Sequence, residues 1–295
     1  MENEANYGSM HSLCGNEMTG DITNNGRMES WKQLINCKKI VIKVGTSTLS
    51  YPNGRLNYQR LVKLSEAMAG IQKTGKKTIL VSSGAIAVGA GRLGLDSRPA
   101  GLADKQALAA IGQAELIRIY QKFFDARNQQ VAQVLLTKDI LVNQERRINA
   151  GNTLNELISM NIIPIINEND TVATDEIEFG DNDTLSAYVS QLAKADLLIL
   201  MSDIDGLFSA DPRENPGAEI IPEVFEITEE MKRSATGAGS GFGTGGMATK
   251  IAAARICRTA GIKVVIANGS NPYILYNILA GKESGTLFSW KQNTQ

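Results

Sequence analysis

The fold can be worked out from one stretch, which reads Ile162-Ile163-Pro164-Ile165-Ile166-Asn167-Glu168-Asn169-Asp170. Its five apolar residues predict a strand buried on both faces, and the polar residues after them predict a loop at the strand's carboxyl end. The acidic stretch 167–183 holds seven carboxylates and three asparagines but no Lys or Arg. Crowded carboxylates are costly to desolvate unless cations or donors face them, so this stretch predicts a binding site.

The same alternation of strand, polar or glycine-rich turn and helix runs along the chain on both sides of this stretch. It predicts an α/β protein, a three-layer α/β/α sandwich around a mainly parallel sheet. Strands are expected at 39–44, 78–81, 131–136, 162–166, 197–201, 263–267 and 285–288. Helices are expected at 56–73, 106–126, 145–160, 183–193, 247–259 and 273–279.

Small polar or charged residues follow four of the predicted strands. They are Gly45-Thr46-Ser47, Ser83-Gly84, Asn167 to Asp170, and Ser202-Asp203. In open parallel sheets, ligands bind beyond the carboxyl ends of the strands. One cleft should therefore collect these residues.

Composition excludes several classes of function. The net charge of −1 gives no reason to expect nucleic acid or an anionic membrane as a partner, and no apolar run is long enough to span a bilayer. The three cysteines have no metal-site spacing and predict reduced thiols in a cytoplasmic protein. The one histidine, His11, excludes Ser-His-Asp, Cys-His and His-rich metal chemistry, and no metal-binding residue is assigned.

The polar segment 1–36 has no apolar periodicity and no features of a secretion or transit signal, so it is predicted to be a disordered extension. Residues 37–290 should form the folded domain, and 291–295 a tail.

Lys43 lies inside the apolar run Ile40 to Val44, directly before Gly45. Most strand lysines simply reach solvent, which is the ordinary alternative here. The glycine and hydroxyls that follow nevertheless form a turn whose amides can approach an anion, which favours a functional lysine.

Residues 241–250 form a second glycine-rich turn, which reads Gly-Phe-Gly-Thr-Gly-Gly-Met-Ala-Thr-Lys. It contains a formal Gly-x-Gly-x-x-Gly pattern, but no strand precedes it and no acidic residue is placed to hold a ribose. A flexible linker is the alternative. The turn leads into a predicted helix with Lys250 in its first turn, where amides and an ammonium group meet one anion. The loop 237–246 should be disordered without nucleotide.

The acidic stretch has alternatives of its own. It could be a solvated loop, and Asp181 or Asn182 could cap the following helix, which is compatible with ligand binding. An EF-hand is excluded by its spacing. The carboxylates of Asp175, Glu176 and Glu178 are expected to form a solvated flap. With no histidine partner, Ser83 is expected to donate a hydrogen bond rather than act as a nucleophile. Together, two lysines, two glycine turns and this stretch predict phosphoryl transfer.

The motifs resemble those of glutamate 5-kinases within the amino acid kinase family, over about residues 39–288. They are Lys43 to Ser47, Ser82 to Ile86, Ile166 to Asp170, Gly180 to Asp183, and Gly243 to Lys250. The resemblance implies ATP-dependent phosphorylation of the γ-carboxylate of L-glutamate, the first step of proline biosynthesis. It also implies Mg²⁺ carried by the nucleotide, a homo-oligomer, and proline as a feedback inhibitor. Within the domain it implies an amino-acid-binding part up to about residue 195 and a nucleotide-binding part after it.

The resemblance also implies roles for individual residues. Lys43 and Lys250 would hold the phosphates, with Asp183 holding both lysines. Ser83, Asp170 and Asn182 would bind glutamate. The nucleotide would be bound by Lys43, Gly45, Ser202, Asp203, Thr244, Gly245, Gly246, Met247, Ala248, Thr249 and Lys250. The C-terminal PUA domain of many bacterial members is expected to be absent. Two alternatives stay open: a kinase of this fold acting on another small acid, and an amino-acid sensor without catalysis.

Overall fold

The computed structural model describes residues 24–51, 55–95, 101–172, 181–234 and 246–290. Within them, eight strands form one sheet: β1 (Lys39–Val44), β2 (Lys77–Ser82), β3 (Val131–Leu136), β4 (Ile163–Glu168), β5 (Leu197–Ser202), β6 (Glu223–Val224), β7 (Lys263–Asn268) and β8 (Thr286–Phe288). The spatial order is β3-β4-β2-β1-β5-β7-β8-β6, and only β7 and β8 pair antiparallel. The predicted mainly parallel sheet is confirmed.

Helices cover both faces of this sheet, as the three-layer prediction required. They are α1 (Asn24–Lys32), α2 (Thr46–Leu49), α3 (Tyr58–Lys73), α4 (Ala85–Arg92), α5 (Leu102–Asp125), α6 (Gln144–Ser159), α7 (Asn182–Leu192), α8 (Glu229–Ser234), α9 (Met247–Arg258) and α10 (Ile274–Leu279). Two 3-10 turns, Gln33–Asn36 and Lys138–Leu141, complete the regular structure. None of the described helices is long and apolar enough to cross a membrane.

The alternation of side chains along β1 separates two cores. Ile40, Ile42 and Val44 face the core built with α3, α5 and α10. Val41 faces the opposite core, which includes residues of α6, α7 and α9. Because alternate residues of a strand point to the same face, Lys43 lies on the side of Val41, beneath α7 and α9.

The prediction of a disordered N-terminal extension is wrong for residues 24–36. This segment forms α1 and a 3-10 turn, and the Trp31 and Leu34 side chains are buried in the same core as Leu275 and Ile278 of α10. Two large apolar side chains are enough to dock a short segment, although they are too few to produce a visible periodicity. Residues 1–23 and the tail 291–295 lie outside the described residues.

Several element bounds also differ from the sequence predictions. The helix expected from residue 56 begins at Tyr58, where Asn57 Oδ1 accepts the amide of Arg60 at 3.1 Å. The helix expected at 106–126 begins earlier, at Leu102. Helix α4 was not predicted, because its glycines weaken the helical signal.

Candidate active site

The carboxyl ends of the central strands meet at one edge of the sheet, as predicted. The register pairs Val44 of β1 with Ser82 of β2 and with Met201 of β5. Val81 of β2 pairs with Ile166 of β4. The side chains that follow these strands can therefore reach one common site.

Two ammonium groups at this edge share one carboxylate. Lys43 Nζ lies 2.6 Å from Asp183 Oδ1, and Lys250 Nζ lies 3.2 Å from Asp183 Oδ2. Asp183 is fully buried, and the two lysines are 7% and 6% exposed. These three side chains together carry a charge of +1 in a space nearly closed to water, where an anion would be attracted more strongly than at the surface.

The two helices that carry Asp183 and Lys250 both begin at the site. Asp181 caps α7, since its Oδ1 accepts the amide of Thr184 at 2.8 Å, which places Asp183 in the first turn. Gly246 is the N-cap of α9, which places Lys250 in the first turn of that helix. Helix N-termini present free amides and a positive dipole end, so both add to the attraction for an anion.

Thr249 links the two helix starts. Its Oγ1 lies 2.8 Å from Asp183 Oδ2 and 2.8 Å from the carbonyl oxygen of Gly246. The hydroxyl has one hydrogen to donate, and both neighbours are acceptors. Thr249 therefore helps to hold the start of α9 beside Asp183.

Burial would by itself raise the pKa of Asp183, but the neighbouring Lys43 and Lys250 outweigh it and hold that pKa at about 2, below the ordinary value of 3.8. Asp181 behaves differently, because burial and the adjacent charge of Asp183 raise its pKa. Asp183 thus stays ionised at neutral pH.

We predict that this ion cluster makes stability depend on pH between about 4 and 2. A carboxylate whose pKa is depressed in the folded state stabilises the fold above its unfolded pKa, and that contribution disappears as pH falls towards the folded pKa. The contribution of Asp183 is on the order of 2 kcal/mol. Denaturant unfolding at pH 5, 4 and 3 should show a steeper loss for the wild type than for Asp183→Asn. Equal slopes in the two proteins would contradict the assignment.

Asn182, one of the residues predicted to bind the substrate glutamate, directly precedes Asp183 in the chain. Asn182 Nδ2 lies 2.9 Å from the carbonyl oxygen of Ser82, 2.8 Å from Ser83 Oγ and 2.9 Å from Asn167 Oδ1. Asp170 is half-buried in the turn after β4. In the structure, Asn182 contacts Ser83 directly. Asp170 follows the end of β4, the strand that contains Asn167.

The predicted nucleotide residues are placed less completely. Ser202 is buried at the end of β5 and its Oγ donates to Asp203 Oδ1 at 3.2 Å. Gly45 caps α2, and a Cβ there would lie 3.4 Å from Lys43 Nζ. In α9, Met247 packs against the core and Ala248 is exposed. Thr244, Gly245 and the rest of the loop 235–245 lie outside the described residues, as does the predicted flap within 173–180.

The sequence placed Asn167 with Asp170 in the predicted cleft, but it assigned no role to Gln113, the residue that Asn167 contacts. Asn167 Nδ2 donates to Gln113 Oε1 at 2.8 Å, and both residues are buried. Asn167 belongs to a recognised motif, which was a usable signal. Gln113 lies in the middle of α5, where no spacing distinguishes it. Among the described residues, no group of three acidic, His or Cys side chains is arranged to hold a metal ion.

Comparison with protein families places the chain among known sequences. The model of the amino acid kinase family matches residues 38–268. The glutamate 5-kinase of Clostridium perfringens is 51% identical over 265 residues, covering 88% of this chain and 98% of the relative. The glutamate 5-kinase of Listeria monocytogenes is 49% identical, covering 88% of this chain and 96% of the relative.

Solved structures agree on the fold. A UMP kinase from Bacillus anthracis superposes with a TM-score of 0.59 at 16% identity, covering 86% of this chain and 96% of that protein. An isopentenyl phosphate kinase from T. acidophilum superposes with a TM-score of 0.58 at 16% identity, covering 85% and 99%. At this identity the likeness concerns the fold alone.

Proposed function

The chain belongs to the amino acid kinase family and, within it, to the glutamate 5-kinases, and we propose that it transfers the γ-phosphoryl group of ATP to the side-chain carboxylate of L-glutamate. That reaction is the first step of proline biosynthesis. The observation that carries the proposal is the buried pair of ammonium groups, Lys43 and Lys250, held by Asp183 at the carboxyl edge of the sheet.

The chemistry requires charge neutralisation more than proton transfer. An oxygen of the γ-carboxylate attacks the γ-phosphorus, the bond from that phosphorus to the bridging oxygen breaks, and ADP leaves. The acceptor has an ordinary pKa of about 4.3, so it is already ionised at pH 7 and no general base is needed. Negative charge on the transferring group is the main obstacle. The ammonium groups of Lys43 and Lys250 would offset this negative charge, and they are in position before the substrates bind.

The polar residues beside the cluster would hold glutamate. Ser83 and Asn182 offer a hydroxyl and an amide next to each other at the end of β2. Asp170 supplies a carboxylate at the end of β4, which suits the α-ammonium group of an amino acid. This division puts the amino-acid end of the substrate towards β4 and the γ-carboxylate towards the lysines.

The nucleotide would lie between the end of β5 and the start of α9. Ser202 ends β5 and Asp203 follows it, while Gly246 caps α9, whose first turn holds Met247, Ala248, Thr249 and Lys250. The helix N-terminus and Lys250 suit the β- and γ-phosphates. Mg²⁺, carried in by the triphosphate, would supply further positive charge on the phosphate oxygens.

A substrate panel tests the proposed function. The purified protein is given ATP, Mg²⁺ and, in separate reactions, L-glutamate, L-aspartate, N-acetyl-L-glutamate or UMP, and ADP release is measured. We expect release with L-glutamate to exceed that with each other acceptor at least tenfold. A preference for another acid would reassign the substrate. Glutamate binding by calorimetry without ADP release would instead identify an amino-acid sensor.

We predict that Asp170→Ala raises the KM for glutamate at least tenfold and changes the KM for ATP less than twofold. Loss of a charge-assisted hydrogen bond costs about 1.5–3 kcal/mol, which corresponds to a factor of about 10–150. Steady-state kinetics with each substrate varied in turn checks this. Equal changes in both KM values would remove Asp170 from the glutamate site.

Three further properties implied by the resemblance stay proposals. Proline would compete near the glutamate site, the protein would form a homo-oligomer, and it would be cytoplasmic. Kinetics with added proline and analytical ultracentrifugation address the first two directly.

A further inference from the structure

Three side-chain amides form a hydrogen-bonded chain from α5 to the proposed glutamate site. Asn182 Nδ2 donates to Asn167 Oδ1 at 2.9 Å, and Asn167 Nδ2 donates to Gln113 Oε1 at 2.8 Å. Asn167 is 3% exposed and Gln113 is 8% exposed, so bulk water does not replace these contacts. The last of the three amides is that of Gln113, whose Oε1 contacts Asn167 and not Asn182.

The direction of this chain is fixed at its Asn182 end. Asn182 lies 2.9 Å from the backbone carbonyl of Ser82, which can only accept, so the nitrogen of its amide must face that carbonyl. Asn167 must then present its oxygen to Asn182 and its nitrogen to Gln113. Gln113 must present its oxygen, because a second nitrogen there would leave two donors facing each other.

Close helix packing holds Gln113 in reach of Asn167. The preceding residue, Gly112, lies so near α4 that a Cβ on it would be 1.7 Å from the carbonyl oxygen of Ala85. On the other side of this contact, a Cβ on Gly89 would be 2.0 Å from the carbonyl oxygen of Leu108. The glycines therefore allow α5 to approach α4 at a distance that larger residues would prevent.

We propose that Gln113 is a positioning residue that holds Asn167, and through Asn167 the Asn182 side chain, in the orientation that the glutamate site needs. Because its nitrogen faces the Ser82 carbonyl, Ser83 Oγ and Asn167 Oδ1, Asn182 turns its carbonyl oxygen away from them, where it can accept from the α-ammonium group. Ser83 Oγ lies 2.8 Å from Asn182 Nδ2, which cannot accept a hydrogen bond, so the Ser83 hydrogen is left to donate to the α-carboxylate. The assignment rests on the proposed function, since it names the substrate's groups.

Gln113→Met tests the assignment, because it keeps a side chain of similar length and removes the acceptor oxygen. The buried nitrogen of Asn167 then loses its acceptor, so Asn167 is free to shift and no longer holds Asn182 in place. We expect the KM for glutamate, and its Kd measured by calorimetry, to rise about tenfold or more, with the KM for ATP changed less than twofold. Gln113→Glu keeps an acceptor oxygen and should stay within about threefold of the wild type.

Gln72→Met is the matched control. Gln72 is also buried, and its amide bonds to Asn161 and Thr78 at the amino edge of the sheet, away from the site. This variant should lower stability while leaving the KM for glutamate within twofold of the wild type. If both Met variants raise that KM equally, the effect is general and the assignment fails.

Two further outcomes separate the assignment from the proposed function. If the wild type phosphorylates glutamate and Gln113→Met leaves its KM unchanged, only the assignment is overturned. If the wild type does not phosphorylate glutamate, the proposed function fails first and the assignment fails with it. Should Gln113→Met not fold, Gln113→Asn withdraws the same amide by one methylene. The assignment then requires a similar rise in KM, and an unchanged KM overturns it.

Discussion

Lys250→Ala is expected to lower kcat for glutamate phosphorylation by about 10²–10³. Removing one preorganised donor that stabilises transition-state charge costs about 3–4 kcal/mol. Lys250 is 6% exposed, so water has little access to replace its ammonium group. Lys43→Ala should have an effect of the same size, because it removes the other ammonium group on the same carboxylate. Steady-state kinetics at saturating ATP and glutamate measures both.

One arginine and one lysine substitution outside the site serve as controls. Arg255 lies on the exposed side of the same helix as Lys250, and Arg255→Ala should keep kcat within about twofold. Lys39 lies at the opposite end of the strand that carries Lys43, where its Nζ contacts Asn155 and Ala193. Lys39→Ala should likewise keep kcat. Near-normal kcat in a folded Lys250→Ala or Lys43→Ala variant would remove that lysine from its role.

Asp183→Asn is expected to lower kcat by about 10²–10³ and to reduce the free energy of unfolding as well. The substitution removes the buried negative charge between Lys43 and Lys250, so two ammonium groups face each other without it. Removing one partner of a buried ion pair costs about 3–5 kcal/mol. Denaturant unfolding at pH 7 and steady-state kinetics below the variant's melting temperature measure the two effects.

Asp196→Asn separates the two effects. Asp196 Oδ2 accepts the amides of Lys38 and Lys39 at 2.7 and 2.8 Å, at the amino edge of the sheet. Its loss should destabilise the protein without lowering kcat more than about twofold. A folded Asp183→Asn protein whose kcat stays within a few-fold of the wild type would show that the lysines do not need this carboxylate.

Much of the fold could be predicted because strand patterns in this chain are strong. The apolar run of β5 and the β-branched run of β1 gave strand positions within one residue of those observed. The segments that failed depend on tertiary contacts. Trp31 and Leu34 anchor α1 and its 3-10 turn by reaching a distant core, and the closely packed α4 contains glycines that lower local helix propensity. Neither is visible in a local window.

Some residues of the candidate site could likewise be predicted from the sequence, and others could not. Lys43 and Lys250 could be singled out because each adjoins a glycine-containing turn, and the resemblance paired both with Asp183. The structure brings these three together, although their roles in catalysis stay predictions. Gln113 could not be found, because a glutamine in a long helix carries no signal until Asn167 is seen beside it. Hydrogen-bond direction is a property of the assembled site, so no spacing rule reports it.

Trapping of the acyl phosphate tests the central claim most directly. The purified protein is incubated with ATP, Mg²⁺, L-glutamate and hydroxylamine, and both the γ-glutamyl hydroxamate and ADP are measured. We expect hydroxamate that requires both ATP and glutamate, forms in equal amount to ADP, and falls by about 10²–10³ in rate with Lys250→Ala. ADP release without hydroxamate, or hydroxamate formation unaffected by Lys250→Ala, would contradict the account.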